Sequence, residues 1–93
     1  MGGGITYEWD NSKRDNNIAK HGVDFTAMQR FDWDAAMTVT DTRTDYGERR
    51  FVSIAPVGQR LHVCAWCWRG DNIRIISLRK ANKREVARYA KET

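Results

Sequence analysis

Apolar and polar positions along this chain change period several times, and each change marks an element. Ile5 to Trp9 alternates apolar with polar residues, the period of a short strand. Asp10 then provides a carboxylate that can accept from backbone N–H groups, predicting a helix that runs to about Lys20 or His21 and ends at Gly22. That helix is polar, with Ile18 and Ala19 as its expected core contacts, so tertiary contacts must hold it. Asp24 opens a second helix in which Phe25, Met28 and Phe31 recur every third residue along one stripe. Ala36–Thr40 predicts a strand, and Asp41–Gly47 a turn-rich connection. A meander follows, with strands at Arg49–Pro56, Leu61–Trp68 and Asn72–Arg79 separated by turns at 57–60 and 69–71. The third of these lacks clean alternation, as a strand covered on both faces would. Asn82 and Glu85 have capping-box spacing, so a last helix covers about Lys83–Lys91. The order β-α-α-β-β-β-β-α predicts the α+β class, with a largely antiparallel sheet and helices packed on one side. No repeat or linker divides the chain, so residues 1–93 form a single domain, with residues 1–4 a Gly-rich flexible leader.

Charge sharpens this picture. Residues 1–48 carry five Lys/Arg against nine Asp/Glu, a net of −4, and residues 49–93 carry eleven against three, a net of +8. A split of this size either creates a field directed at a polyanion, RNA first among them, or neutralises itself within the fold. No stretch approaches the roughly 20 apolar residues of a membrane span, and the first residues lack the basic start and apolar run of a secretory signal. Cys64 and Cys67 form a CxxC pair without the further ligands a zinc site needs. On a strand they would face opposite ways, which predicts reduced, packed thiols and fits a cytoplasmic protein. No metal or cofactor is expected.

Metal-free RNA cleavage requires a base for the 2′-OH, an acid for the leaving 5′-oxygen, and cations for the charge developing on phosphorus. Arginine suits the last role because its planar fork binds two phosphate oxygens and stays charged. The chain offers Arg74, Ser77, Arg79 and Lys80 on its last strand, Tyr89 on its last helix, and Arg69 at the end of the strand before. Glu48 and Arg50 share a strand face while Arg49 does not; the pair reads equally as acid–base chemistry or as an ordinary ion pair. Lys20 and His21 close the first helix, where His21 is either a proton carrier or a partner of the last carbonyls. Lys13, Asn17 and Lys20 share one face of that helix, and His62, among apolar neighbours, reads as structural. Trp66 and Trp68 share a strand face and are the better candidates for stacking on bases, although at least two of the four tryptophans are expected in the core.

These residues resemble the BrnT toxin family, the RelE-like toxins of type II toxin–antitoxin pairs. The resemblance lies in Tyr7-Glu8-Trp9-Asp10, Lys13, Asn17 to Phe25, Glu48-Arg49-Arg50, Arg74 to Ala81 and Glu85 to Tyr89, in family order over nearly the whole chain. It implies a RelE-like fold, a metal-independent endoribonuclease that cleaves mRNA, possible contact with the ribosome included, and neutralisation by a BrnA-like antitoxin through which alone operator DNA is bound. It places the family's recurrent polar residues at Lys20, His21, Glu48, Arg49, Arg50, Arg74, Ser77 and Arg79. Arg79, Arg50, Glu48 and His21 are the expected catalytic set, with Lys20, Arg49, Arg69, Arg74, Ser77, Lys80 and Tyr89 expected on RNA. A non-catalytic nucleic-acid-binding module is the alternative. One run departs from the family pattern: Val63 to Trp68 is rich in Cys and Trp where aliphatic residues are expected.

Overall fold

The computed structural model describes residues 4–93, so most of the expected leader, residues 1–3, lies outside the described residues. Strands β1 (Tyr7–Glu8), β2 (Met37–Asp41), β3 (Arg50–Val57), β4 (Arg60–Arg69) and β5 (Asn72–Lys80) form one five-stranded sheet in the order β1-β5-β4-β3-β2. The pairs β2–β3, β3–β4 and β4–β5 are antiparallel, and β1 joins β5 in parallel. Helix α1 spans Asn11–His21 and α2 spans Lys83–Glu92. The expected class and element order therefore hold. The three meander strands stand where they were expected, each within a residue or two at either end.

Two expectations about the helices change. The segment after Asp24 is a 3-10 helix, Phe25–Arg30, followed by a second short one, Trp33–Ala35. Three residues per turn stack every third side chain, so the interval of three in Phe25, Met28 and Phe31 is a 3-10 stripe rather than an α-helical one. All three are buried. The helices also divide between the two sheet faces. The 3-10 segments pack into the core with Ala55, Cys64, Trp66, Ile75 and Leu78. On the opposite face Glu85, Arg88 and Tyr89 of α2 line a groove with Met37, Val52, Ile54 and Val63. One-sided packing fails for α2, whose exposed residues include Val86 and whose polar ties to the fold include a hydrogen bond from the Tyr89 hydroxyl to Ala35 O, 2.7 Å, and a pair between Glu85 and Arg79 of β5.

Helix α1 is not held by its apolar residues. Ile18 is 39% exposed, Ala19 is exposed too, and the single buried residue of α1 is Asn17. Because β1 is only two residues long, the edge of β5 beyond Arg74 would be left open. The Asn17 amide fills that place: Nδ2 donates to Leu78 O (2.7 Å) and to Val23 O (2.9 Å), while Oδ1 accepts from Leu78 N (3.1 Å). One side chain thus imitates the next strand. Asp10 accepts from Lys13 N at the start of α1, and Gly22 ends it at φ 72°, a conformation that a side chain would strain.

Replacing Asn17 with Ala leaves three buried backbone groups short of a partner, at roughly 1–3 kcal/mol for each unsatisfied group. We expect Asn17→Ala to lower unfolding free energy in urea by about 3 kcal/mol or more. Ile18→Ala, at an exposed position, is expected to lower it by about 0.5 kcal/mol or less.

Candidate active site: a charged row across the sheet

Strand register builds the site. Asp41 faces Arg50, Arg50 faces Cys67, Cys67 faces Arg74, and Arg74 faces Glu8, so these five side chains form one transverse row across all five strands. The row lies on the face away from the core. Alternation demands this, because Phe51 and Trp66, the chain neighbours of Arg50 and Cys67, pack on the core side. Cys64 and Cys67 accordingly face opposite ways, both buried and both free thiols. Burial raises the pKa of each thiol, keeping it protonated, and the neighbouring Glu48 carboxylate raises that of Cys67 further.

Glu48 is a hub beside the row. Its Oε2 accepts from Arg50 Nε (3.2 Å) and its Oε1 from Arg69 NH1 (3.1 Å). The hydrogen bond from Arg50 is the chief cause of a pKa below the ordinary carboxylate range, so Glu48 is ionised at neutral pH. The Arg50 guanidinium is pinned over the Tyr46 ring at 4.0 Å. Arg74 donates to Glu8 Oε1 (3.0 Å) and Asn72 to its Oε2 (3.1 Å), and these two bonds, Asn72 first, lower the Glu8 pKa. Both cross-links join the acidic first half to the basic second half, so part of the charge split does neutralise within the fold.

Arg79 stands farther along the same face. It faces Val63, two strand positions beyond Ser77, and both line a shallow groove with Asp41 and Arg43. Arg79 makes a bidentate pair with Glu85, NH1–Oε1 and NH2–Oε2 both 2.8 Å. Glu85 also accepts from Asn82 N (2.9 Å), closing the expected capping box of α2. With these partners, Arg79 first, its pKa falls to about 2.

The structure therefore brings Glu48, Arg50, Arg69 and Arg74 together and leaves other expected residues outside that group. Arg79 and Ser77 share the face without a hydrogen bond to the row among the described residues. His21 and Lys20 sit at the C-terminus of α1 and make no side-chain hydrogen bond to the row; there they complement the helix dipole. Arg49 and Lys80 are exposed and lie outside every ion pair among the described residues. Tyr89 is engaged in tying α2 to Ala35. His62 is buried, as expected, with Nδ1 2.9 Å from Arg60 O. Of the tryptophans, Trp66 is buried, Trp9 and Trp33 pack against the core, and Trp68 is exposed. Sequence reasoning passed over Glu8, Asn72 and Tyr46 as site residues; the cue for Glu8 was its place in the signature run Tyr7-Glu8-Trp9-Asp10, but its partner Arg74 lies 66 residues away. No group of three or more His, Cys, Asp or Glu residues suited to a metal ion occurs among the described residues.

Comparison with known proteins now decides the family. Residues 9–85 match the family model described as the ribonuclease toxin BrnT of type II toxin–antitoxin systems. The chain belongs to the BrnT family. Its structure is similar to the 1.1 Å crystal structure of the Brucella abortus ribonuclease toxin BrnT, with a TM-score of 0.67 and 28% sequence identity over 86% of this chain and 100% of that one. Among curated proteins none matches the chain. Membership makes this a ribonuclease toxin, with RNA as substrate and an antitoxin as partner. No helix among the described residues is long and apolar enough to cross a membrane.

The ionised carboxylates of this face carry a pH signature. Glu85 has a folded-state pKa lowered from 4.5 to about 2, so its contribution to stability is fully present above pH 4.5 and is lost as pH falls towards 2. The lowered pKa values of Glu8 and Glu48 act in the same direction. Urea unfolding at stepped pH is expected to show stability declining through that window, and Glu85→Gln is expected to flatten the decline.

Proposed function

We propose that this BrnT toxin is a metal-independent endoribonuclease that cleaves mRNA in the cytoplasm, with its reaction centre at Glu48, Arg50, Arg69 and Arg74. The observation that carries this reading is the Glu48 carboxylate held between two guanidiniums, 3.2 Å from Arg50 and 3.1 Å from Arg69. A scissile phosphate drawn to those guanidiniums brings its 2′-OH beside an ionised carboxylate. Glu48 takes the 2′-OH proton, the 2′-oxygen attacks phosphorus, and the P–O5′ bond breaks to leave a 2′,3′-cyclic phosphate. The departing 5′-oxygen, on the far side of phosphorus, takes a proton from water. Arg50, Arg69 and Arg74 stabilise the charge that builds on the phosphoryl oxygens, a role a metal ion would otherwise fill.

Arg79 extends this charge along β5 with Ser77 beside it on the same face, and the two serve the RNA next to the cleaved bond, while Lys80, one residue on, faces the other side and adds attraction at the strand end. Arg49, Lys20 and the basic face of α2 add long-range attraction. His21, at the far end of α1, takes no proton in this scheme. The resemblance supports a BrnA-like antitoxin as the partner and contact with operator DNA through that antitoxin alone. An acidic segment would compete with RNA for the same arginines.

Purified protein incubated with RNA in EDTA, and in parallel added to a translating extract, tests the reading. Glu48→Gln and Arg50→Ala are each expected to reduce cleavage by about 100-fold or more, with growth arrest relieved when they are expressed without antitoxin. Salt-dependent RNA binding without cleavage in either setting would make the protein a non-catalytic binding module instead.

A further inference from the structure

The β4–β5 hairpin carries a second feature on its reverse side. Trp68 and Arg69 are consecutive, so alternation sends them to opposite faces although their Cα atoms are about 3.8 Å apart. Arg69 pairs with Glu48 beside the charged row, while Trp68 forms one wall of a pocket of about 510 Å³ on the core side, lined also by Ile5, Trp33, Trp66, Asn72 and Ile73. This pocket lies where the 3-10 segments stop covering the sheet.

The tryptophans around it are not equivalent. Trp33 Nε1 donates to Tyr7 OH (2.6 Å) and Trp66 Nε1 to Ser53 Oγ (2.8 Å), whereas the Trp68 indole N–H has no protein acceptor among the described residues. Trp66 is stacked on Phe51 at 4.7 Å and is met edge-on by Trp33 at 5.4 Å, so its ring is committed to the core. Trp68 meets Trp66 at 5.2 Å with the ring planes 86° apart, which braces the indole, and yet it remains 52% exposed. A braced, half-exposed indole with an open pocket beside it is unusual for a side chain whose burial is worth so much. Its chain neighbour is a guanidinium of the proposed phosphate site.

We propose that this pocket is a stacking subsite for one unpaired base of the RNA, next to the phosphate held at Arg69. Sugar–phosphate backbone crossing the end of the hairpin meets Arg69, Arg50 and Arg74 on one face, and the attached base turns over the Gly70-Asp71 turn onto the Trp68 ring. The occupant follows from complementarity: an aromatic, sequence-tolerant surface joined to a cationic strip is the combination that single-stranded nucleic acid fits. The departure of the run Val63 to Trp68 from the family pattern thereby gains a use. The proposal rests on the ribonuclease reading and refines its substrate contacts.

The test uses a six-nucleotide 2′-O-methyl RNA, which cannot be cleaved, and an abasic oligomer with the same backbone. Both are titrated by fluorescence anisotropy against the wild-type chain, Trp68→Phe and Trp68→Ala, and cleavage of unmodified RNA in a translating extract is measured on the same preparations. Wild type is expected to bind the base-bearing oligomer roughly tenfold more tightly than the abasic one. Trp68→Ala should lose that preference and Trp68→Phe keep most of it. Cleavage by wild type without any preference for bases, or a preference that survives Trp68→Ala, overturns the pocket and leaves the ribonuclease reading standing. Absence of both binding and cleavage overturns the two together. A fall in sedimentation coefficient on Trp68→Ala would assign the pocket to contact between copies of the chain and also overturn the proposal. Should Trp68→Ala fail to fold, the wild-type comparison of base-bearing with abasic RNA decides alone.

Discussion

Period-two alternation along β3, β4 and β5 is the constraint on which everything else depends. A sheet one residue thick must present two unlike surfaces from the same strands, and here neighbours in sequence serve opposite purposes. Phe51 belongs to the aromatic core and Arg50 to the charged row; Trp66 is dry, and Cys67 floors the row. A register slip of one residue would exchange these surfaces wholesale, sending guanidiniums into the core. The bulge between Ala65 and Trp66 limits that exchange locally, because it lets β5 place Ser77 and Arg74 on the same side despite their odd separation.

The arginines of this face do not stand free. Arg50 and Arg69 share Glu48, Arg74 rests on Glu8, and Arg79 is clamped by Glu85. Such pairs, half exposed to water, add only modestly to stability, and acid removes that part. Their value is positional: a long guanidinium held in one rotamer loses less freedom on binding a phosphate than one that roams.

Much of the fold was legible because its signals were local. The Asn82–Glu85 box, the Gly22 stop and the meander alternation each declare themselves within a few residues, and each stands in the structure. The charge partners were legible only where they were close in sequence, as with Glu48 and Arg50. Glu8 with Arg74, and Asn17 with Leu78, join residues more than 60 positions apart, and no local pattern contains them. Asn17 was read as one more polar position on an amphipathic face because its helix looked as though Ile18 and Ala19 should anchor it. Once the two-residue length of β1 is known, the need for a polar side chain at the β5 edge becomes plain. His21 was the opposite case, a chemically capable side chain that the fold leaves at the end of α1 without a hydrogen bond to the row.

Cys67 holds a position in this design that its chemistry alone would not suggest. It lies midway along the row, between Arg50 and Arg74, and its burial keeps it neutral. A small uncharged side chain there leaves room for the Glu48 carboxylate, which lies against the thiol while it reaches the guanidiniums of Arg50 and Arg69. The place of that carboxylate among the arginines is therefore set by the residue with the least charge in the row.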